Sequence, residues 1–571
     1  MSATRAGRTR VPAALAGALC LLLLLTGCIS IPRSGPIGQI DVDSSEPGQV
    51  RIDPDGPVTG ASQDQIVRGF LAAGTGSASN FAVARSFLTD DLAASWEPLE
   101  SVWVLKSGHS LDSINSEVTS DSQTVSLTLP VQAHIDSTRV YREAAADSER
   151  TVKFTLRQVN GEWRISKMPA GIVVTPANFS SMFQAHSLYY YTPDFKYAVP
   201  DTRWYLRSGS AGRELVADLL AGPADYLKGA VVPAVGSGRG KLGVGSLSVS
   251  DGDAAVELSG DPQLSARDAE RLAKTVALSL QSMPSVRDVT VTGAGMPEDV
   301  DTANLPNTEV EVPGRPVVLQ DGRLVELGGD RTSSLPLPAP KKGAGNPARD
   351  YTGRVFAYLA AGERELHRMT VGGRKDTVVV RGSSLAAPSF DRFGWLYTAE
   401  SDTGRLKVVG PDGEMKTLKA GFLSKRTVTA VRVSRDGSRL VVLSTGSKAD
   451  SRLDYIGIVR DSDQAPRELS GDAPLSAGES FSDLRDVSWA GTDTLVALAA
   501  LESGGDLQPY TLSSSGMFAA RGSVSEGTSI SAGTDLRSMR IGTRAGDVYS
   551  YQGGAWQKLV GIKSYEPAFP G

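Results

Sequence analysis

Four histidines, two cysteines and a set of turn-borne aspartates are the side chains of this 571-residue sequence best suited to metal binding, nucleophilic attack or acid–base chemistry. His109, His134, His186 and His367 stand singly, with no His-x-x-x-His or Glu-x-x-His spacing to put two ligands on one helical face, so no metal site is expected. No Gly-x-Ser-x-Gly elbow and no His-Glu-x-x-His helix is present, which removes the commonest hydrolase signatures. Gly238-Arg239-Gly240-Lys241-Leu242-Gly243 has the spacing of a dinucleotide fingerprint but runs into the strand-like Val244–Val249 instead of opening a helix, and it lacks the Gly-Lys-[Ser/Thr] ending of a phosphate loop. It reads as a flexible loop, and no cofactor is expected. Asp391, Asp436 and Asp493 recur beside turns, and two converging carboxylates are enough for glycoside hydrolysis. Turn chemistry explains them more simply, because Asp bonds its own backbone and a following Gly accepts positive φ. The catalytic set is therefore expected to be empty.

The thiols lead elsewhere. Cys20 lies inside an apolar run, Val11–Leu25, that follows Arg5, Arg8 and Arg10. A basic start and a short apolar core make a secretory signal. The run is shorter than the roughly 20 residues a membrane-spanning helix needs. Directly after it, Leu25-Thr26-Gly27-Cys28 resembles the lipobox of exported bacterial lipoproteins. That resemblance implies cleavage between Gly27 and Cys28. It also makes Cys28 the lipid site, an S-diacylglycerol and N-palmitoyl cysteine that holds the rest of the chain on the outer face of the cytoplasmic membrane. Each buried acyl CH₂ contributes about 0.8 kcal/mol, so one chain anchors only marginally and the two of a diacylglyceryl group anchor firmly.

Removing residues 1–27 takes away three arginines and no acid, so the net charge of −5 becomes −8. An acidic surface argues against nucleic acid as a partner. With both cysteines spent at the N-terminus, the exported part has no disulfide and must fold on its apolar cores alone. Its length calls for several of them.

Residues 28–60 are rich in Pro, Gly, Ser and Asp and read as a flexible tether. Over 61–185, Ile66, Val67, Phe70 and Leu71 fall on one helical face; strand alternation follows at Val125, Leu127, Leu129 and at Val152, Phe154, Leu156, and Asn160-Gly161 predicts a hairpin. Helices followed by a curled antiparallel sheet ending in Gly-Glu-Trp-Arg-Ile resemble an NTF2-like α+β cone. Such a cone can hold a ligand, although Trp96 and Trp163 read as core. Over 187–297, a helix through Leu215, Val216, Leu219 and Leu220 stops at Gly222-Pro223. A hairpin turns at Asp251-Gly252, Ser265 caps a helix ending before Pro284, and a strand carries Val289 and Val291. This predicts two helices against a small antiparallel sheet. From about Gly314 to the end, strand–turn–strand motifs recur every 45–57 residues, as around Asp391, Asp436 and Asp493. That predicts an all-β propeller-like domain of five or six blades, with a pair of β-sandwiches as the competing arrangement.

Tyr189-Tyr190-Tyr191, Pro200-Asp201-Thr202-Arg203, Leu219-Leu220-Ala221-Gly222-Pro223 and Ser285-Val286-Arg287-Asp288-Val289, in that order, resemble the GerMN domain. Lipobox, NTF2-like unit, GerMN-like unit and propeller together resemble the LpqB family of actinobacterial lipoproteins. The resemblance implies a non-catalytic accessory protein that contacts the extracellular domain of a sensor histidine kinase of the MtrA/MtrB type and so influences cell-envelope and division signalling. The alternative is a lipoprotein that binds cell-wall peptidoglycan or glycan; a third possibility is an exported glycan hydrolase or lyase using the propeller aspartates.

Overall fold

The computed structural model describes residues 54–571 apart from 120–122, 236–241, 263, 298–299, 330 and 448–449. The signal, Gly27, Cys28, the tether up to residue 53 and most of the Gly238–Gly243 loop lie outside the described residues.

The first domain begins where local chemistry says it must. Ser62 caps the helix Gln63–Ala73, its Oγ accepting from Gln65 N–H while the Gln65 side chain accepts from Ser62 N–H. This reciprocal capping box satisfies two otherwise orphaned amides. Ile66, Val67, Phe70 and Leu71 of that helix are buried. They lie in one core with the strand Thr124–Asp136, which buries every second residue over its whole length. The sheet runs in the order 162–167, 149–159, 124–136, 101–105, 172–174, with the last pair parallel. The predicted hairpin turns on Asn160 (φ 53°) and Gly161 (φ 82°), the left-handed pair that suits the twist of the flanking strands. Trp96 is core, edge-on to Phe70 and Phe81 at ring distances of 5.2 and 6.0 Å. Trp163 is half-exposed on the outer strand.

In the second domain the strands Phe183–Tyr191 and Ala198–Leu206 pair as a two-stranded sheet, and the helix Ala211–Ala221 ends at Gly222 with φ 110°. The hairpin Gly243–Ser250/Asp253–Ser259 turns through Asp251 and Gly252 as expected. Two features differ from the sequence reading. Strand Asp288–Gly293 pairs parallel with Asp253–Ser259, so the sheet is mixed and not antiparallel: the helix Ala266–Leu280 returns the chain to the end from which it left, and a helical crossover of that length makes parallel pairing possible. Val249, on the same face as Leu247 and opposite the buried Ala254, is nevertheless 43% exposed, because it stands at the turn end of an edge strand.

The remainder is six sheets in a ring. Five are built from consecutive strands: 345–381, 389–418, 427–469, 483–520 and 527–558. The sixth, blade 1, takes its innermost strand, Tyr565–Ala568, from the end of the chain and its other three, Val317–Gln320, Arg323–Gly328 and Arg331–Ser334, from the beginning of the domain. The innermost strands touch their neighbours all the way round, so the ring closes with six blades. Second strands are covered on both faces, which is why Leu440-Val441-Val442-Leu443 is apolar throughout and fully buried.

Second domain and propeller share one apolar core: Leu188, Tyr190, Leu215, Tyr226 and Leu227 belong to the same buried cluster as Val441, Leu443, Tyr455 and Trp489. The approach is close enough to require glycine. A Cβ at Gly457 would lie 2.5 Å from Ala230 Cβ and 3.0 Å from the Tyr226 carbonyl.

Candidate ligand cavity

Of the three aspartates picked out by their turns, Asp436 and Asp493 meet on one buried guanidinium, that of Arg439, and Asp391 on another, that of Arg460. Asp391 is fully buried; its Oδ1 accepts from the amides of Phe393 (2.9 Å) and Trp395 (2.8 Å), and its Oδ2 meets the Arg460 guanidinium at 2.7 Å. Asp436 accepts from Ser438 N–H at 2.7 Å and pairs with Arg439 at 2.7 Å. Burial alone would raise its pKa, but the Arg439 charge and the hydrogen bonds outweigh it and hold the carboxyl below its ordinary value. Asp493 accepts from Ser514, from Arg439 and, at 3.0 Å, from Thr202 of the second domain. These carboxylates close turns and join blades or domains, and every lone pair spent that way is lost to a substrate.

Three of the four histidines are likewise held in structure, while His109 stands exposed on a turn closed by its amide and the Lys106 carbonyl. His134 stacks on Trp103 at 4.0 Å, and His186 Nδ1 lies 3.2 Å from the Ser282 carbonyl. His367 stands in a cluster that sequence reasoning missed. Its Nδ1 is 2.9 Å from Asp376 Oδ1 and its Nε2 is 3.2 Å from Glu365 Oε2, while Tyr358 stacks on the ring and donates to Asp376 Oδ2 at 2.6 Å. The cluster resembles the base end of a catalytic triad, but His367 is 1% exposed and both its nitrogens are occupied by carboxylates. Only the cross-strand register that sets Tyr358 opposite His367 brings these groups together, so no spacing in the chain announces them. Among the described residues no group of three or more His, Cys, Asp and Glu is placed to hold a metal ion.

The GerMN-like motif residues also prove to be braces. Asp201 is buried, and its Oδ2 accepts from Arg203 Nη2 (2.8 Å) and Ala224 N–H (2.9 Å); Arg203 Nη2 donates in turn to the Gly222 carbonyl. The Pro-Asp-Thr-Arg strand thus fastens the Gly222-Pro223 corner, and Thr202 between them reaches across to the propeller.

Three cavities bear on binding, one of them a space of about 300 Å³ beside Tyr351, Arg368, Asp391 and Arg392. In the first domain the space beside Phe70, Trp103 and Phe154 is about 30 Å³, room for a water or two and not for a ligand. On the propeller axis lies a cavity of about 420 Å³ whose wall is drawn from the innermost strands of all six blades. The ring around it is stitched by polar side chains. Glu566 Oε2 accepts from Asn346 N–H (2.6 Å), Ser389 Oγ from Val433 N–H (3.1 Å) and Asp486 Oδ2 from Ile530 N–H (2.9 Å). Ser488 Oγ accepts from Ala532 N–H (3.3 Å) and Ser531 Oγ from Phe569 N–H (2.9 Å). Arg432 donates to the Val487 carbonyl at 2.7 Å and to Asp486 Oδ1 at 3.0 Å. Beyond the C-terminal ends of the innermost strands the buried Arg435 guanidinium donates to the carbonyls of Trp489, Ala532 and Gly533, beside Gly571. Burial raises the carboxyl pKa of both Asp486 and Glu566. These residues come from strands some 40 or more positions apart, and no local motif marks them.

A six-bladed propeller closed by its own last strand, sharing a core with one α+β domain and preceded by another, defines the class: a multidomain propeller protein with an axial cavity. Residues 56–180 match the family model described as the N-terminal domain of lipoprotein LpqB, 187–299 match the sporulation and spore germination (Germane) model, and 322–570 match the lipoprotein LpqB beta-propeller domain. Lipoprotein LpqB of Thermobifida fusca is 26% identical over 89% of this chain and 90% of its own length. Lipoprotein LpqB of Streptomyces avermitilis is 24% identical over the whole of both. The chain belongs to the LpqB family of lipoproteins. Among solved structures, TolB from Acinetobacter baumannii aligns at 12% identity over 58% of this chain and 82% of its own, with a TM-score of 0.35, a likeness too slight to bear on function. Among the described residues no helix is long and apolar enough to cross a membrane.

Proposed function

We propose that this protein is a non-catalytic lipoprotein, tied by acylated Cys28 to the outer face of the cytoplasmic membrane, which works by binding. Its partner in this reading is the extracellular domain of a two-component sensor kinase of the MtrA/MtrB type, with envelope and division signalling as the output. The first domain is then an NTF2-like unit used as a docking module; the space beside Phe70, Trp103 and Phe154 is too small for a ligand. One observation carries the non-catalytic reading: the carboxylates and histidines best suited to chemistry are committed to turns, ion pairs and blade junctions. Buried groups whose partners are already supplied by the fold have no capacity left for a reacting substrate.

The test has two parts. Replacing Cys28 by Ala should abolish incorporation of labelled palmitate and leave unprocessed precursor; a variant that is still lipidated defeats the anchor. Immobilised full-length protein should then retain the purified kinase ectodomain and not purified cell wall. Retention by cell wall alone transfers the function to the second reading, a glycan-binding lipoprotein, which the hydroxyl-lined axial cavity favours.

A further inference from the structure

Most polar groups around the propeller axis are used up in holding adjacent blades together. Those that remain include two carboxylates and a hydroxyl. Glu566 spends Oε2 on Asn346 N–H, but among the described residues no cation lies within 4 Å of its carboxylate, nor of Glu363 at the same cavity. The three arginines of the lining are engaged elsewhere: Arg349 with Glu326 at 3.1 Å, Arg432 with Asp486 and the carbonyls of Ala387, Val431 and Val487, and Arg485 with Asp483 at 2.9 Å. Ser529, 8% exposed, lines the same space with an Oγ that has no hydrogen-bond partner among the described residues. Ser384, Ser401, Thr427 and Thr528 add further hydroxyls to the wall.

A carboxylate enclosed without a counter-charge is costly, and here the cost is visible. Burial first, then the Asp486 and Glu363 charges, push the Glu566 carboxyl above its ordinary range. A cation entering the cavity would relieve both effects. A bare divalent ion is poorly served, because no set of three or more carboxylate or imidazole ligands converges there. An ammonium group with hydroxylated or extended neighbours suits both the space and the lining: it would donate to the Glu566 carboxylate while the Ser and Thr hydroxyls take up the rest of the ligand.

We propose that the axial cavity of the propeller is a binding site for a primary ammonium group, with Glu566 as its counter-ion and Ser529 as a hydrogen-bond partner. The same chemistry is offered by an amino sugar and by a lysine side chain, and neither the lipid anchor nor the kinase reading is needed for it.

Calorimetric titration of the full-length protein in detergent with glucosamine, with trilysine and with N-acetylglucosamine tests this. Glucosamine or trilysine should bind, and whichever binds names the source of the amine. N-acetylglucosamine, of similar shape but uncharged, should not bind. Glu566→Gln keeps an acceptor for Asn346 N–H and should weaken amine binding roughly tenfold or more; Glu363→Gln, on an exposed turn, should weaken it less and leaves the stitching untouched. Lowering the pH should weaken binding in the wild type as Glu566 takes up its proton. Failure of both amines to bind at millimolar concentration overturns the proposal, as does equal binding of N-acetylglucosamine or amine binding unaffected by both substitutions.

Discussion

Glu143 Oε2 accepts a hydrogen bond from the backbone amide of Glu479 at 2.8 Å, so the end of a first-domain strand is held in a loop of the propeller. Burial, with a smaller contribution from the Glu479 charge, pushes the Glu143 carboxyl up to about 7, against the opposing pull of the amides of residues 478–480. Glu479, whose own carboxyl burial also raises, faces Arg452, Arg426, Asp454 and Asp450 from the propeller side. A carboxyl whose folded pKa lies above its unfolded value binds more protons when folded, so its contribution to stability is fully present below the unfolded value near 4.5 and is lost as pH rises through about 7.

Glu143→Gln removes that proton while keeping an acceptor for the amides. Over pH 5 to 7.5 the wild type should therefore lose stability relative to the variant, by at most about 3 kcal/mol. Thermal melts of both proteins across this range check it. Parallel curves would mean that the carboxyl does not titrate there.

Asp391 and Arg460 are paired at 2.7 Å with side-chain exposures of 0% and 1%. Removing one partner leaves a buried charge uncompensated, so Asp391→Ala should cost about 3–5 kcal/mol. It also frees the amides of Phe393 and Trp395. Urea unfolding measures the loss; a stable Asp391→Ala protein would return this residue to the list of candidates for chemistry.

Gly457→Val places methyl groups where Ala230 and the Tyr226 carbonyl already stand. Within the blade the added bulk meets the Ser470 hydroxyl, which can turn aside, whereas the Tyr226 backbone and Ala230 of the second domain have to move away. Hydrogen exchange should show protection lost over residues 224–231 and retained over the blade strand Arg439–Thr445. Unchanged protection over 224–231 would show that the junction can absorb the bulk.

Much of the chain was legible where one stretch of sequence decides the outcome. Ser62 and Ser265 cap their helices because an N-cap hydroxyl needs only the amide three residues ahead. Asn160-Gly161 and Asp251-Gly252 turn where they should because positive φ is a property of those two residues. Period-two burial along Thr124–Asp136 and the fully apolar Leu440–Leu443 report one and two covered faces respectively. The repeat spacing of the turns likewise announced the propeller, since each blade is a local up-and-down run of strands.

What only the tertiary structure decided involves partners distant along the chain. The parallel pairing of Asp253–Ser259 with Asp288–Gly293 depends on where a helical crossover lays its second strand. The count of six depends on a last strand that joins the first blade some 250 residues earlier in the chain. The fate of Asp391 and Asp493 depends on a guanidinium 69 residues away and on a hydroxyl from another domain, whereas Asp436 finds Arg439 three residues along its own turn. The axial cavity is set in the same way, because its wall is a ring of single short stretches that meet only when the sheet circle closes. Local sequence can choose a turn or a cap, since the interacting groups travel together; it carries no signal for an encounter that loop closure alone creates.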